Sequence, residues 1–233
     1  NAGNTTFVDV TARGNGLGGF EVFDAGSHVL TNVSAVDNGG IGFEFRYLVS
    51  DNTFTNVSAR GNDDEGFLLE DADRTVLAGV SATDNGAGVV VSDSRAVEID
   101  GGTFESNAAD GIRLEGARST TVRGAQLLAN GRDGLLVANG SDGTLLTGVT
   151  TRGNARYGLY VVASNDVRVV DSRAEANGDS GLGVGSRRPG GTATSRNVSF
   201  ENTSTLDNGE HGVEIDDAAV DVTLVATNAS GNA

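Results

Sequence analysis

Apolar residues in this chain stand in columns that return every 22 to 24 residues. Ten asparagines mark the interval: Asn15, Asn38, Asn62, Asn85, Asn107, Asn130, Asn154, Asn177, Asn208 and Asn232. One gap, from Asn177 to Asn208, is longer at 31 residues. Eight positions before each Asn the residue is apolar, as in Phe7, Leu30, Phe54 and Leu77. Four after it (three at Gly88) comes a glycine, followed by two apolar columns one residue apart, such as Phe43 and Phe45 or Leu135 and Val137. Alternation with a period of two is the mark of strands rather than helices. Each repeat therefore predicts short strands broken by Asn/Gly/Asp/Ser turns.

A single repeat of this length cannot bury its own apolar side chains, so it must stack on its neighbours. Parallel pairing at roughly 4.8 Å per rung turns about ten repeats into a rod on the order of 50 Å long. Parallel connections favour a right-handed turn. The expected fold is all-β, a single-stranded right-handed parallel β-helix of about ten rungs. The recurrent Asn is expected at an inward turn, where stacked amides donate to one rung and accept from another. The glycine after it is expected to supply a backbone conformation that a side chain would strain.

Composition narrows the function classes. The chain of 233 residues reads as one elongated domain, 1–233, expected to be a fragment of a larger protein. Its 32 acids face 16 bases, all arginine, for a net charge of −16. That balance argues against nucleic acid as a partner, since phosphate contacts need basic clusters. It fits a halophile's surface. No Cys or Met is present and only two His, so neither a metal site nor a cofactor is expected. No apolar run is long enough for membrane insertion. Seven Asn-x-Ser/Thr sequons occur, Asn139 among them, as possible glycosylation acceptors on an extracellular or cell-surface protein.

Candidate chemistry lies in the two positions before the repeat glycine, expected to point outward. Successive rungs read Arg132-Asp133, Arg156-Tyr157, Asp179-Ser180 and Glu210-His211. Tyr157 and His211 are the candidate proton-transfer groups and Arg156 the candidate cation. Arg132, Asp133, Asp179 and Glu210 are candidate binding residues, as are Arg187 and Arg188. Those last two belong to an inserted surface loop, 185–197, which accounts for the long gap and holds the single proline. Paired arginines suit bidentate recognition of a carboxylate or sulfate.

The repeat, written V-x-x-x-x-V-x-A-x-x-N-x-x-x-G-I/F-x-V, resembles the pectin-lyase-like β-helix repeat of carbohydrate-binding proteins and sugar hydrolases. That group includes NosD-type proteins and the catalytic modules of mannuronan C5-epimerases. Such epimerases carry Arg-His-Gly after a repeat Asn, and Glu210-His211-Gly212 aligns with it, with Glu in place of Arg. The resemblance implies polysaccharide as the partner, and a proton-transfer role for His211. Two expectations follow. The first is a non-catalytic glycan-binding or spacer module that meets other segments, or further copies, at the rod ends. The alternative is a uronate lyase, C5-epimerase or glycoside hydrolase.

Overall fold

A computed structural model describes residues 3–24, 26–186 and 194–233. Within them the chain winds as a right-handed parallel β-solenoid with three sheets. Two sheets have ten strands and the third has nine, giving nine complete coils and a partial tenth. Every pairing between named strands is parallel and joins equivalent positions of adjacent coils, as in Phe7↔Leu30 and Leu159↔Leu182.

The strands are short because each coil must turn three times. Strands of the first and second sheets are mostly three residues long, with the middle side chain inward: Phe54 in Thr53–Thr55, Ala59 in Ser58–Arg60. Corners are made by residues with left-handed backbone angles. Between the first two sheets these are Asp9, Asn32, Asn56, Gly79 and their equivalents; before each ladder asparagine they are Gly14, Asp37, Gly61, Asp84 and so on. Asn, Asp and Gly bear that conformation at least cost, so the corners explain much of the composition. Sequon residues Asn32, Asn56 and Asn202 are such corner residues.

Inside, one continuous core runs the length of the rod. Toward the N-terminal end it is aromatic: Phe20, Phe43 and Phe67 stack with centroids 4.9 Å apart, which is the coil rise itself. Further on, Val89, Ile112 and Leu135 continue the column, fully buried.

The ten asparagines form one unbroken ladder. In each step the Nδ2 of one Asn donates to the Oδ1 of the next, from Asn15–Asn38 at 2.9 Å to Asn208–Asn232 at 2.7 Å. The Asn62 amide is fully used: Oδ1 accepts from the backbone N and Nδ2 of Asn38, and Nδ2 donates to Asn85 Oδ1 and the Ala35 carbonyl. That saturation is why a buried polar column costs the core nothing.

The repeat glycine has a different role from the expected one. None of the series has a left-handed φ. Instead its face is pressed against the ladder: a Cβ on Gly134 would lie 2.6 Å from the Gly158 carbonyl oxygen and 2.8 Å from Asn154 Nδ2. Close approach, not backbone angle, excludes a side chain there.

The insertion is also shorter than 185–197. Ser195–Glu201 is a strand, with Ser195 and Arg196 paired to Ala219 and Val220. Arg187 and Arg188 lie outside the described residues. Among the described residues no helix is long and apolar enough to cross a membrane.

Candidate functional site

Outside the third sheet, the turn that leaves each ladder Asn passes over the sheet's outer face before the strand begins. One position in this turn builds a second ladder. Asp110 Oδ1 accepts the backbone N–H of Asp133 at 3.1 Å, and Asp133 Oδ1 accepts that of Tyr157 at 3.3 Å. Two coils on, Ser180 Oγ accepts the N–H of His211 at 3.3 Å. The consequence corrects the outward assignment: Asp133 is 0% exposed and Tyr157 8%. Asp133 holds the turn and does not face a ligand. The preceding column does point out, for Arg132 and Glu210 are exposed.

Tyr157 leans along the rod axis rather than away from it. Its hydroxyl donates to Glu214 Oε2 at 2.9 Å, two coils further on, and Ser180 Oγ donates to the same oxygen at 2.9 Å. Glu214 belongs to the coil of His211, so the phenol spans the two-coil distance that separates Tyr157 and His211 in the fold. Room for this comes from Gly183, which sits between Tyr160 and Glu214 in the strand register. A Cβ on Gly183 would fall 2.6 Å from Tyr160 Cδ2 and 2.8 Å from Tyr157 Cε1. The two rings pack together over this bare backbone, centroids 4.5 Å apart, with Leu136, Ala138 and Val162 beside them.

Burial is the main reason both phenols ionise well above the ordinary tyrosine range; for Tyr157 the hydrogen bond to Glu214 adds to it, and for Tyr160 the charges of Asp216 and Glu214 do. Tyr157 therefore rests protonated and is disposed to act as a proton donor, not as a base. His211 is exposed, and its ring has no hydrogen-bond partner among the described residues. Arg156 lies 6.0 Å from the Tyr157 ring centre and holds Asp179 at 3.4 Å. Arg132, one coil earlier, makes no ion pair among the described residues.

The fold thus joins Tyr157, Arg156 and Asp179, sets the His211 backbone beside Ser180, and leaves Asp133 beneath the turn. Sequence reading did not assign Glu214, Tyr160 or Ser180 to the site. Gly183 was missed altogether. Its signal was a glycine in an outward column otherwise filled by large side chains.

A second concavity lies away from these residues. A cleft of about 590 Å³ near the first coils is lined by Leu17, Ile41, Glu21, Glu44 and Asp64 among others. Burial lifts the Glu44 carboxyl above the usual carboxylate range; Arg46 opposes this, while Glu21, Glu65 and Glu70 reinforce it. No group of three or more His, Cys, Asp or Glu is disposed to hold a metal ion among the described residues.

Comparison with known families matches the description "Right handed beta helix region" over residues 1–150 and 87–233. The chain belongs to that family. This β-helix has no match among curated proteins. Among solved structures it is similar to the A-module of mannuronan C-5 epimerase AlgE6 of Azotobacter vinelandii, with a TM-score of 0.68 and 20% identity over 99% of this chain. The periplasmic alginate epimerase AlgG gives 0.58 at 17% identity over 91%, and the Agl-KA catalytic domain 0.74 at 13% over 96%. The β-helix spans 64%, 61% and 48% of the lengths of those three chains. At these identities the likeness is one of fold.

Proposed function

We propose that this β-helix is a polysaccharide-active module that acts on an acidic polymer laid along the outer face of its third sheet. One observation carries the reading: the Tyr157 hydroxyl donates to Glu214, 57 residues on in sequence, in the coil that also carries the exposed His211. In the reaction, His211 takes the proton beside a uronate carboxylate, and Arg132 and Arg156 counter the charge that develops there. Return of a proton to the opposite face from the Tyr157 hydroxyl, which recovers one from water, inverts the centre; in elimination the bond from C4 to the glycosidic oxygen breaks instead, that oxygen takes a proton from water, and a C4–C5 double bond forms. An acidic polysaccharide substrate supports a location outside the cytoplasm, and the net charge of −16 suits work at high salt.

The competing reading is a glycan-binding or spacer module without turnover. It draws on the fact that the Tyr157 hydroxyl is already engaged by Glu214. Incubation with polymannuronate, polyguluronate and polygalacturonate, at low and molar salt, separates the two. The readouts are unsaturated uronate and exchange of the C5 proton in heavy water. Turnover in the wild type, with a loss of at least about 100-fold in His211→Ala, supports the enzyme. Retained binding without turnover on any polymer assigns the binding module.

A further inference from the structure

Arginines of this chain are mostly spent on carboxylates. Ten ion pairs among the described residues engage nine of them, Arg46 taking part in two. Arg95 and Arg118 take part in none, as do Arg132, Arg152 and Arg196, although acids outnumber bases two to one, 32 to 16. They stand in register on adjacent coils, joined by a parallel bridge, just past the end of the third sheet. Both are exposed.

The acids of the same corner are directed elsewhere. Asp73 Oδ1 accepts the backbone N–H of Arg95 at 2.7 Å, and Asp142 Oδ1 accepts the N–H and Nδ2 of Asn165 at 2.7 and 3.1 Å. Corner geometry thus uses these carboxylates to cap backbone and leaves the two in-register arginines without an ion pair among the described residues. Beside them is a cavity of about 220 Å³, lined by Asp93, Arg95, Gly116, Arg118 and Asn139. It exists because Gly116, at φ +63°, has no side chain: a Cβ there would lie 2.7 Å from Asp93 Oδ1.

From this lining we infer a subsite for the acidic group of a sugar. Arg95 and Arg118 take the oxyanion, a carboxylate or a sulfate ester, through paired N–H donors. Asp93 accepts from a sugar hydroxyl and the Asn139 amide exchanges hydrogen bonds with another. The single carboxylate in the lining disfavours a bare inorganic anion and selects one that carries hydroxyl donors. The subsite lies coils away from His211 and does not depend on turnover there. Asn139 is also a sequon residue, and a glycan on it would obstruct the cavity.

The test is calorimetric titration of the full chain, made in a host that does not N-glycosylate, at low ionic strength. The probes are glucuronate, glucose 6-sulfate, inorganic sulfate and glucose. Glucuronate and glucose 6-sulfate separate the carboxylate from the sulfate source, and at least one must bind. Expected is a loss of about tenfold or more in Arg95→Gln and Arg118→Gln, and in Gly116→Asn, which keeps the left-handed backbone while filling the cavity. Arg152→Gln, an exposed arginine elsewhere, leaves binding unchanged, as does His211→Ala. Four outcomes overturn the assignment: no binding of either acid sugar, binding unaffected in both arginine variants, glucose binding as tightly, or inorganic sulfate binding as tightly.

Discussion

Two hydrogen-bonded ladders run side by side in this rod, and they obey opposite rules. The inner one repeats a single residue on all ten coils. The outer one, through Asp110, Asp133, Tyr157, Ser180 and His211, changes residue at nearly every step while three of its side chains still cap the next coil's N–H. Inside, a buried amide has no substitute for its partner, so identity is enforced. Outside, the capping need is met by any oxygen, which leaves successive positions free to diverge. The site is found where the ladder is irregular.

The contrast breaks most severely from within. Asn130→Ala removes the acceptor for Asn107 N and Nδ2 and the donor to Asn154 Oδ1. With buried groups left unpaired at about 1–3 kcal/mol each, a loss of roughly 3–4 kcal/mol is expected in denaturant unfolding. Gly134→Ala comes next. Its Cβ meets backbone and a ladder amide that cannot yield, so about 2–3 kcal/mol is lost, read in the same assay.

On the outer ladder, Tyr157→Phe is expected to cost about 1 kcal/mol, since Ser180 still serves Glu214. If the module is the enzyme proposed above, turnover should fall far more than stability does in this variant. The pH dependence sharpens the point. Both phenols ionise later in the folded chain than unfolded, so above about pH 10 the unfolded chain loses protons that the folded one retains. Stability is full below that pH and declines as pH rises. The variant Tyr157→Phe with Tyr160→Phe should flatten this alkaline slope, measured by melting temperature against pH.

The smallest effect belongs to the surface. Arg74 grips Asp51 through two bonds of 2.7 Å, yet both side chains are exposed. Arg74→Ala should leave the melting temperature unchanged within error, at low salt and high.

How much of this was legible beforehand follows the same division. Period, strand columns and the Asn ladder were readable because each coil repeats the same physical problem. The glycine's position was legible but not its reason, since close approach to the next coil is a property of the stack rather than of one repeat. Burial of Asp133 and Tyr157 was illegible because it depends on how the turn folds over the sheet, which no alternation of residues encodes. The Tyr157–Glu214 bond was hidden by its span of 57 residues and by a glycine that offers no side chain to read.

The inner ladder also has a direction. In every Asn–Asn bond the Nδ2 of the earlier coil donates to the Oδ1 of the later one, so the amides stand head to tail in single file. Dipoles in such a file polarise one another, and each bond is strengthened by those on either side. The coils are therefore not independent units whose contributions simply sum. A middle coil is held more tightly than a terminal one of identical sequence, and unfolding should begin at the ends and travel inward.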